Sequence, residues 1–191
     1  VVSPGESGEG GGRCSGFLPQ NACPVRLHEG GLPGLEPGRK HRSDPIIEYR
    51  IRVIATGLIV SWFGLVAVAM GVPDFRPAAL PFNPAAAGAT SADGVYPMQA
   101  DGDALRFGAV SVGNPHVVLE VADVATAPVA EWGPRLEHHP AFPERTNVGF
   151  AQRVAADRVV LRVWERGSGE TRACGSGACA AAAILRARGL A

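Results

Sequence analysis

Net charge is the first thing this chain lacks. Eighteen basic residues balance 18 acidic ones. A neutral chain has no electrostatic footprint for nucleic acid or for an anionic membrane surface. Charged residues make up 19% of the sequence, slightly below the ordinary share. Lysine is almost absent: Lys40 stands alone among the 18 basic residues, a skew that reads as coding bias rather than mechanism. Cysteine is scarce too. Cys14, Cys23, Cys174 and Cys179 are too few and too unevenly spaced for a disulfide framework, and the default setting is a reduced cytoplasm. No apolar run is long enough to span a bilayer. The longest, "LIVSWFGLVAVAM" at residues 58–70, falls short of the ~18 residues required and carries a central glycine. The first residues have no basic start and no apolar stretch of the kind that forms a secretory signal. His138 and His139 have no metal-ligand spacing to other Cys or His residues, so no metal is expected and the pair reads as surface.

What is present divides near Ile46. Sixteen of the first 45 residues are Gly or Pro, above the roughly 25–30% that marks low-complexity sequence. Residues 1–45 show neither a helical nor a strand period, and are expected to form a disordered leader. From Ile46 the pattern changes. "IIEYRIRVIATGLIV" (46–60) shows partial alternation with β-branched enrichment and predicts one or two strands; "GLVAVAMG" (64–71) predicts another. Residues 71–94 are a Pro/Ala/Gly connection and a domain boundary. "LRFGAVSVGNPHVVLEVADV" (105–124) holds two strands on either side of an Asn-Pro turn. Residues 129–140 predict a short helix. Residues 146–170 predict a strand, a polar turn at Ala155, Ala156 and Asp157, and the strand "RVVLRVWER". Residues 175–188 are Ala-rich and apolar on most faces, a buried helix that Gly189 stops. Paired strands with one nearly all-apolar helix predict an α+β class, with that helix enclosed by sheet rather than laid on it.

The chemistry concentrates in "ERGSGETRACGSGACAAAA" (165–183). Cys174 stands at the predicted helix start, where backbone N–H groups and the positive end of the helix dipole collect. Such a place is expected to lower a thiol's pKa below ~8.5 and make the thiolate available as base or nucleophile. The amides of Gly175, Ser176 and Gly177 can hold a carboxylate. Against this, both cysteines could be small apolar packing residues; that reading suits Cys179, inside the helix, better than Cys174. The run also fits the loose dinucleotide pattern G-x-G-x-x-A. That pattern needs a second parallel strand and an acidic residue about 20 positions on, and neither follows. Arg166 could clamp a carboxylate in two-pronged fashion and Glu165 could receive an ammonium group, or the two could form an exposed ion pair at a strand end. Asn114 and Asn147 each fall in a predicted turn, where asparagine is common for backbone reasons alone.

In combination these segments are more specific. "VSVGNPHVVLEV" (110–121), "GPRLEHHPAFPERTNVGFAQ" (133–152) and "VWERGSGETRACGSGACAAAA" (163–183), in that order, resemble the diaminopimelate epimerase family. "AMGVPDFRPAALPF" (69–82) resembles the linker between that family's two halves. The resemblance implies two pseudo-symmetric α+β halves, each a curved, mostly antiparallel sheet around a central helix. It divides the chain into a leader (1–45), a remnant of the N-terminal half (46–80) and a C-terminal half (81–191) truncated at its end.

The activity it implies is inversion of one α-carbon of LL-diaminopimelate to the meso form, in lysine biosynthesis. No cofactor is used: two cysteines on opposite faces of Cα exchange its proton. Cys174 would be one of them. Gly175 and Ser176 would hold the reacting carboxylate, Asn114, Asn147, Glu165 and Arg166 would bind substrate, and His116 would support the site beside Asn114. The expected partners are a small amino-acid substrate and, since the family often forms dimers, a second copy of the chain. Alignment of "SGEGGGRCSGF" (7–17) with the family's other cysteine motif puts Gly8 where that cysteine belongs and Gly10 where an asparagine belongs. Residues 1–45 therefore read as out-of-frame or foreign sequence, and the chain as an epimerase lacking one base. The alternatives are an inactive remnant and a related proline-racemase-like isomerase.

Overall fold

The structure is a computed structural model that describes residues 2–4, 22–27, 48–55, 62–87, 94–100 and 103–190. The best-patterned part of the sequence builds its centre. Strand β8 (Asn147–Ala155) turns at Ala156 and Asp157 into β9 (Arg158–Glu165), and the two pair antiparallel. Side chains of β9 face both ways, with Val159, Leu161 and Val163 in one layer and Trp164 packed against the other. A two-sided strand of this kind needs cover on both faces.

The rest of the sheet grows outward from this hairpin. On one side lie β7 (Pro115–Glu120), parallel to β8, then β6 (Asp103–Ser111) and β5 (Val95–Ala100). On the other side of β9, β2 (Cys23–Leu27) pairs along residues 158–161, and the short β10 (Gly169–Thr171) pairs along residues 163–165. Beyond β2 come β1 (Val2–Pro4), β3 (Glu48–Ala55) and β4 (Trp62–Ala69). Among the described residues this is one curved, open, ten-stranded sheet, antiparallel except at β1–β3 and β7–β8. Mixed α/β with few helices is the class expected. Two segments of the expected leader, β1 and β2, are strands; Gly8, Gly10 and Cys14 lie outside the described residues. The expected strand over 46–60 is present as β3, and the strand over 64–71 as β4, starting two residues earlier.

Three α-helices and a 3-10 turn at Pro77–Ala79 complete the described fold. α1 (Pro84–Ala87) is a single turn inside the proline-rich connection, which β6 also ties down through Asp74 and Ser111, their backbones bonded at 2.9 and 2.8 Å. α2 (Val129–Glu137) forms despite Pro134. α3 (Gly175–Ala187) packs on β6, β7 and β8 and against β1 and β3, and every residue from Gly177 to Leu185 is buried. That all-round burial is the enclosure its composition predicts. The layer around α3 includes Val110, Val118, Val159, Leu161 and Val163. The opposite face of the sheet carries a second layer, in which the rings of Phe82, Tyr96, Phe107 and Phe142 meet at centroid distances of 4.8–6.0 Å.

Candidate active site

Cys174 is the N-cap of α3, with extended backbone (φ −136°, ψ 109°). Its sulfur accepts the Gly177 N–H at 3.4 Å and lies 3.4 Å from the Ser176 hydroxyl. The N–H groups of Gly175 and Ser176 belong to the first turn, where no intrahelical acceptor exists. The expected lowering of the thiol pKa is not what this place produces. Burial pushes the Cys174 thiol up. The Ser176 hydroxyl and the Gly177 amide pull it down, but the charge of Glu165 and its hydrogen bond to the thiol add to the rise, and the net direction is upward. The helix start is electropositive, but burial first, and then the facing carboxylate, hold the thiol above its ordinary range. Cys179 is fully buried and its thiol is pushed up to about 12 by burial, which fits a packing residue. Cys23, on β2, is half-buried; burial and the proximity of Cys174 raise its pKa as well.

Glu165 ends β9 and its Oε1 receives a short hydrogen bond from the Thr171 hydroxyl across the β9–β10 pair. Thr171 was not among the expected site residues; its only sequence signal is its place six residues after Glu165. Arg166 is exposed, with its Nη1 donating to the Glu144 carbonyl at 3.1 Å. Glu165 and Arg166 therefore have separate partners, rather than pairing with each other.

Asn147 is the first residue of β8, not a turn residue, and is 4% exposed. Its Oδ1 accepts the Arg166 N–H at 3.0 Å and its Nδ2 donates to the Pro115 carbonyl at 2.9 Å. It thus braces the start of β7 against the turn after β9. His116 lies beside Asn147 in the β7–β8 register and is buried. Burial, with the charge of Arg166, lowers its pKa to about 4, so the ring is neutral and its Nε2–H donates to Asn114 Oδ1 at 3.1 Å. Asn114 is half-buried in the predicted turn. The expected set therefore converges on one end of the sheet, where β7, β8, β9 and the start of α3 come together.

His138 is exposed and His139 half-buried, each bonded to nearby backbone. Among the described residues no cluster of His, Cys, Asp or Glu could hold a metal ion, and no helix is long and apolar enough to cross a membrane.

Comparison with known proteins finds similarity to one family. The family model described as "Diaminopimelate epimerase" matches residues 108–191. A diaminopimelate epimerase of Pseudomonas entomophila is 54% identical over 144 residues, covering 73% of this chain and 50% of the relative. One from Azotobacter vinelandii is 53% identical over 119 residues, 62% of this chain and 41% of the relative. One from Xanthomonas campestris is 54% identical over 126 residues, 66% of this chain and 43% of the relative. The chain spans about half the length of these relatives.

Proposed function

Because residues 108–191 belong to the diaminopimelate epimerase family, we propose that this chain binds diaminopimelate at the start of α3 and exchanges its α-proton through Cys174. One observation carries the reading: the Cys174 thiol caps the helix whose first turn supplies the Gly175 and Ser176 amides, with Glu165 beside the sulfur.

The chemistry follows from these positions. The α-carboxylate lies on the Gly175 and Ser176 amides, where the helix dipole favours an anion. Glu165 receives an ammonium group. Arg166, further out on the turn, takes the distal carboxylate, and Asn114, held through Oδ1 by His116, offers its Nδ2 as a donor. A Cα–H is a weak acid, so the carbanion needs donors fixed in advance on its carboxylate. The thiolate form of Cys174 takes the α-proton; the thiol so formed exchanges with solvent and returns a proton to the carbanion. Inversion needs a second thiol on the opposite face. The family's second cysteine falls at Gly8 here, so this chain exchanges the proton on one face without inverting the centre.

The test is incubation of the full chain with LL- and with meso-diaminopimelate in deuterated water. Deuterium at Cα without interconversion is expected. Interconversion would overturn the one-faced reading and direct attention to Cys23, a half-buried thiol that senses Cys174. Absence of deuterium with both isomers would overturn proton exchange altogether and leave a remnant without turnover.

A further inference from the structure

Glu137 is the last residue of α2, and at 2% exposure it is a carboxylate taken out of water. A group of this kind is costly to bury unless it is fully bonded. Its Oε2 accepts the Trp164 indole N–H at 2.7 Å, and its Oε1 accepts the Gly167 backbone N–H at 2.8 Å. The Arg145 guanidinium lies 3.5 Å from Oε1. One carboxylate thus grips the chain immediately before and immediately after Glu165 and Arg166.

The turn does not need this grip in order to close. The Ser168 N–H already bonds the Glu165 carbonyl at 3.0 Å, and Gly167 has the left-handed φ of +78° that such a turn calls for. What the carboxylate adds is a fixed attitude of the turn relative to α2. The fit around it is close: a Cβ on Gly133, one helical turn before Glu137, would sit 2.5 Å from the Trp164 ring. On the far side, Arg145 holds φ +61°, which a non-glycine residue adopts only when its surroundings impose it, and it leads directly into Thr146 and Asn147. The Asn147 side chain completes the circuit by accepting the Arg166 N–H.

We propose that Glu137 is a positioning residue that aims Arg166 at the distal end of the substrate, and so sets the preference for an amino acid carrying a second charged end. This rests on the reading of the site as one that binds diaminopimelate. A buried anion joined to an indole, a turn amide and a guanidinium has one low-energy arrangement, and a misaimed guanidinium loses its two-pronged hold on a carboxylate.

The test compares wild type with Glu137→Gln and Glu137→Asp, using the full chain. Affinity is measured by protein-detected NMR for LL-diaminopimelate and for norleucine, which has one amino-acid end and a plain alkyl tail. The Trp164 indole N–H and Arg166 amide resonances are read in the same spectra. For Glu137→Gln we expect about tenfold weaker binding of diaminopimelate, unchanged binding of norleucine, and movement of both resonances. Glu137→Asp keeps the charge but cannot span both donors, and should fall between; it also serves if the Gln variant does not fold. Equal weakening for both ligands, or none for either, overturns the positioning role. A wild-type chain that binds norleucine and diaminopimelate alike, or neither, overturns the substrate reading beneath it, whatever the resonances do.

Discussion

At the residue scale, the two cysteines of α3 differ in reach to water and in electrostatic company. Cys174 caps the helix and faces both stabilising donors and a destabilising carboxylate; Cys179 sits five residues on, sealed on every side. The thiolate of Cys174 is therefore expected to appear only above the ordinary cysteine range. Its alkylation by iodoacetamide, followed by mass spectrometry across pH, should rise late. Glu165→Gln removes a negative charge and should move that rise to lower pH. Ser176→Ala removes a donor and should move it higher. Cys179 should react only when the chain unfolds. A Cys174 profile that ignores Glu165→Gln would mean that the carboxylate does not govern the thiol. The wrong expectation for this pKa came from the one visible influence, the helix start. Burial opposes it first, and then Glu165, nine residues away, which the β9–β10 hairpin folds back; no local pattern reveals either.

At the element scale, legibility followed the strength of the local pattern. α3 was readable because an Ala-rich, all-apolar segment can only be an enclosed helix, and β8–β9 because a polar turn splits two apolar strands. β5 was hidden in part by Pro97, which a strand tolerates where only one neighbour pairs with it; β5 ends the sheet, with β6 as its neighbour. β10 is three residues long and exists through its pairing with β9. β2 carries Pro24 and lies amid Gly/Pro-rich sequence, so its pairing with β1 and β9, not its local pattern, identifies it. The brace made by Asn147 and the grip of Glu137 were equally invisible, since their partners lie 19 to 32 residues away. The seat of α2 on Trp164 gives a test at this scale. Gly133→Ala adds a methyl 2.5 Å from the indole. Overpacking costs roughly 1–3 kcal/mol, and alanine's better helix propensity returns about 1 kcal/mol. The variant should lose roughly 1 kcal/mol in urea unfolding, and the Trp164 indole N–H signal should shift as α2 lifts. An unchanged midpoint and signal would show that α2 is not seated on this ring.

At the scale of the whole molecule, the same packing that gathers the site makes the fold sensitive to acid. His116 is buried near the start of β7 with a pKa of about 4, against about 6.5 in an unfolded chain. Between those values the unfolded chain binds a proton that the folded chain refuses. Its contribution to stability is therefore complete above about pH 6.5 and is lost as pH falls toward 4, with a full value of roughly 3 kcal/mol. His139, lowered by burial, acts in the same direction. Glu137 extends the trend further down. Burial raises its pKa, but the bonds from Trp164 and Gly167, with the charge of His138 and the bond from Arg145, outweigh burial and hold it below its ordinary 4.5. Its share is present above that value and is lost as pH falls through the lower, folded one. Urea unfolding from pH 7.5 to 4.5 should thus show stability falling steadily below about 6.5. His116→Gln should flatten that slope without abolishing it, because His139 remains. A wild-type stability that is constant over this window would mean that His116 is reached by water, and with it the floor of the site on which Asn114 and Asn147 stand.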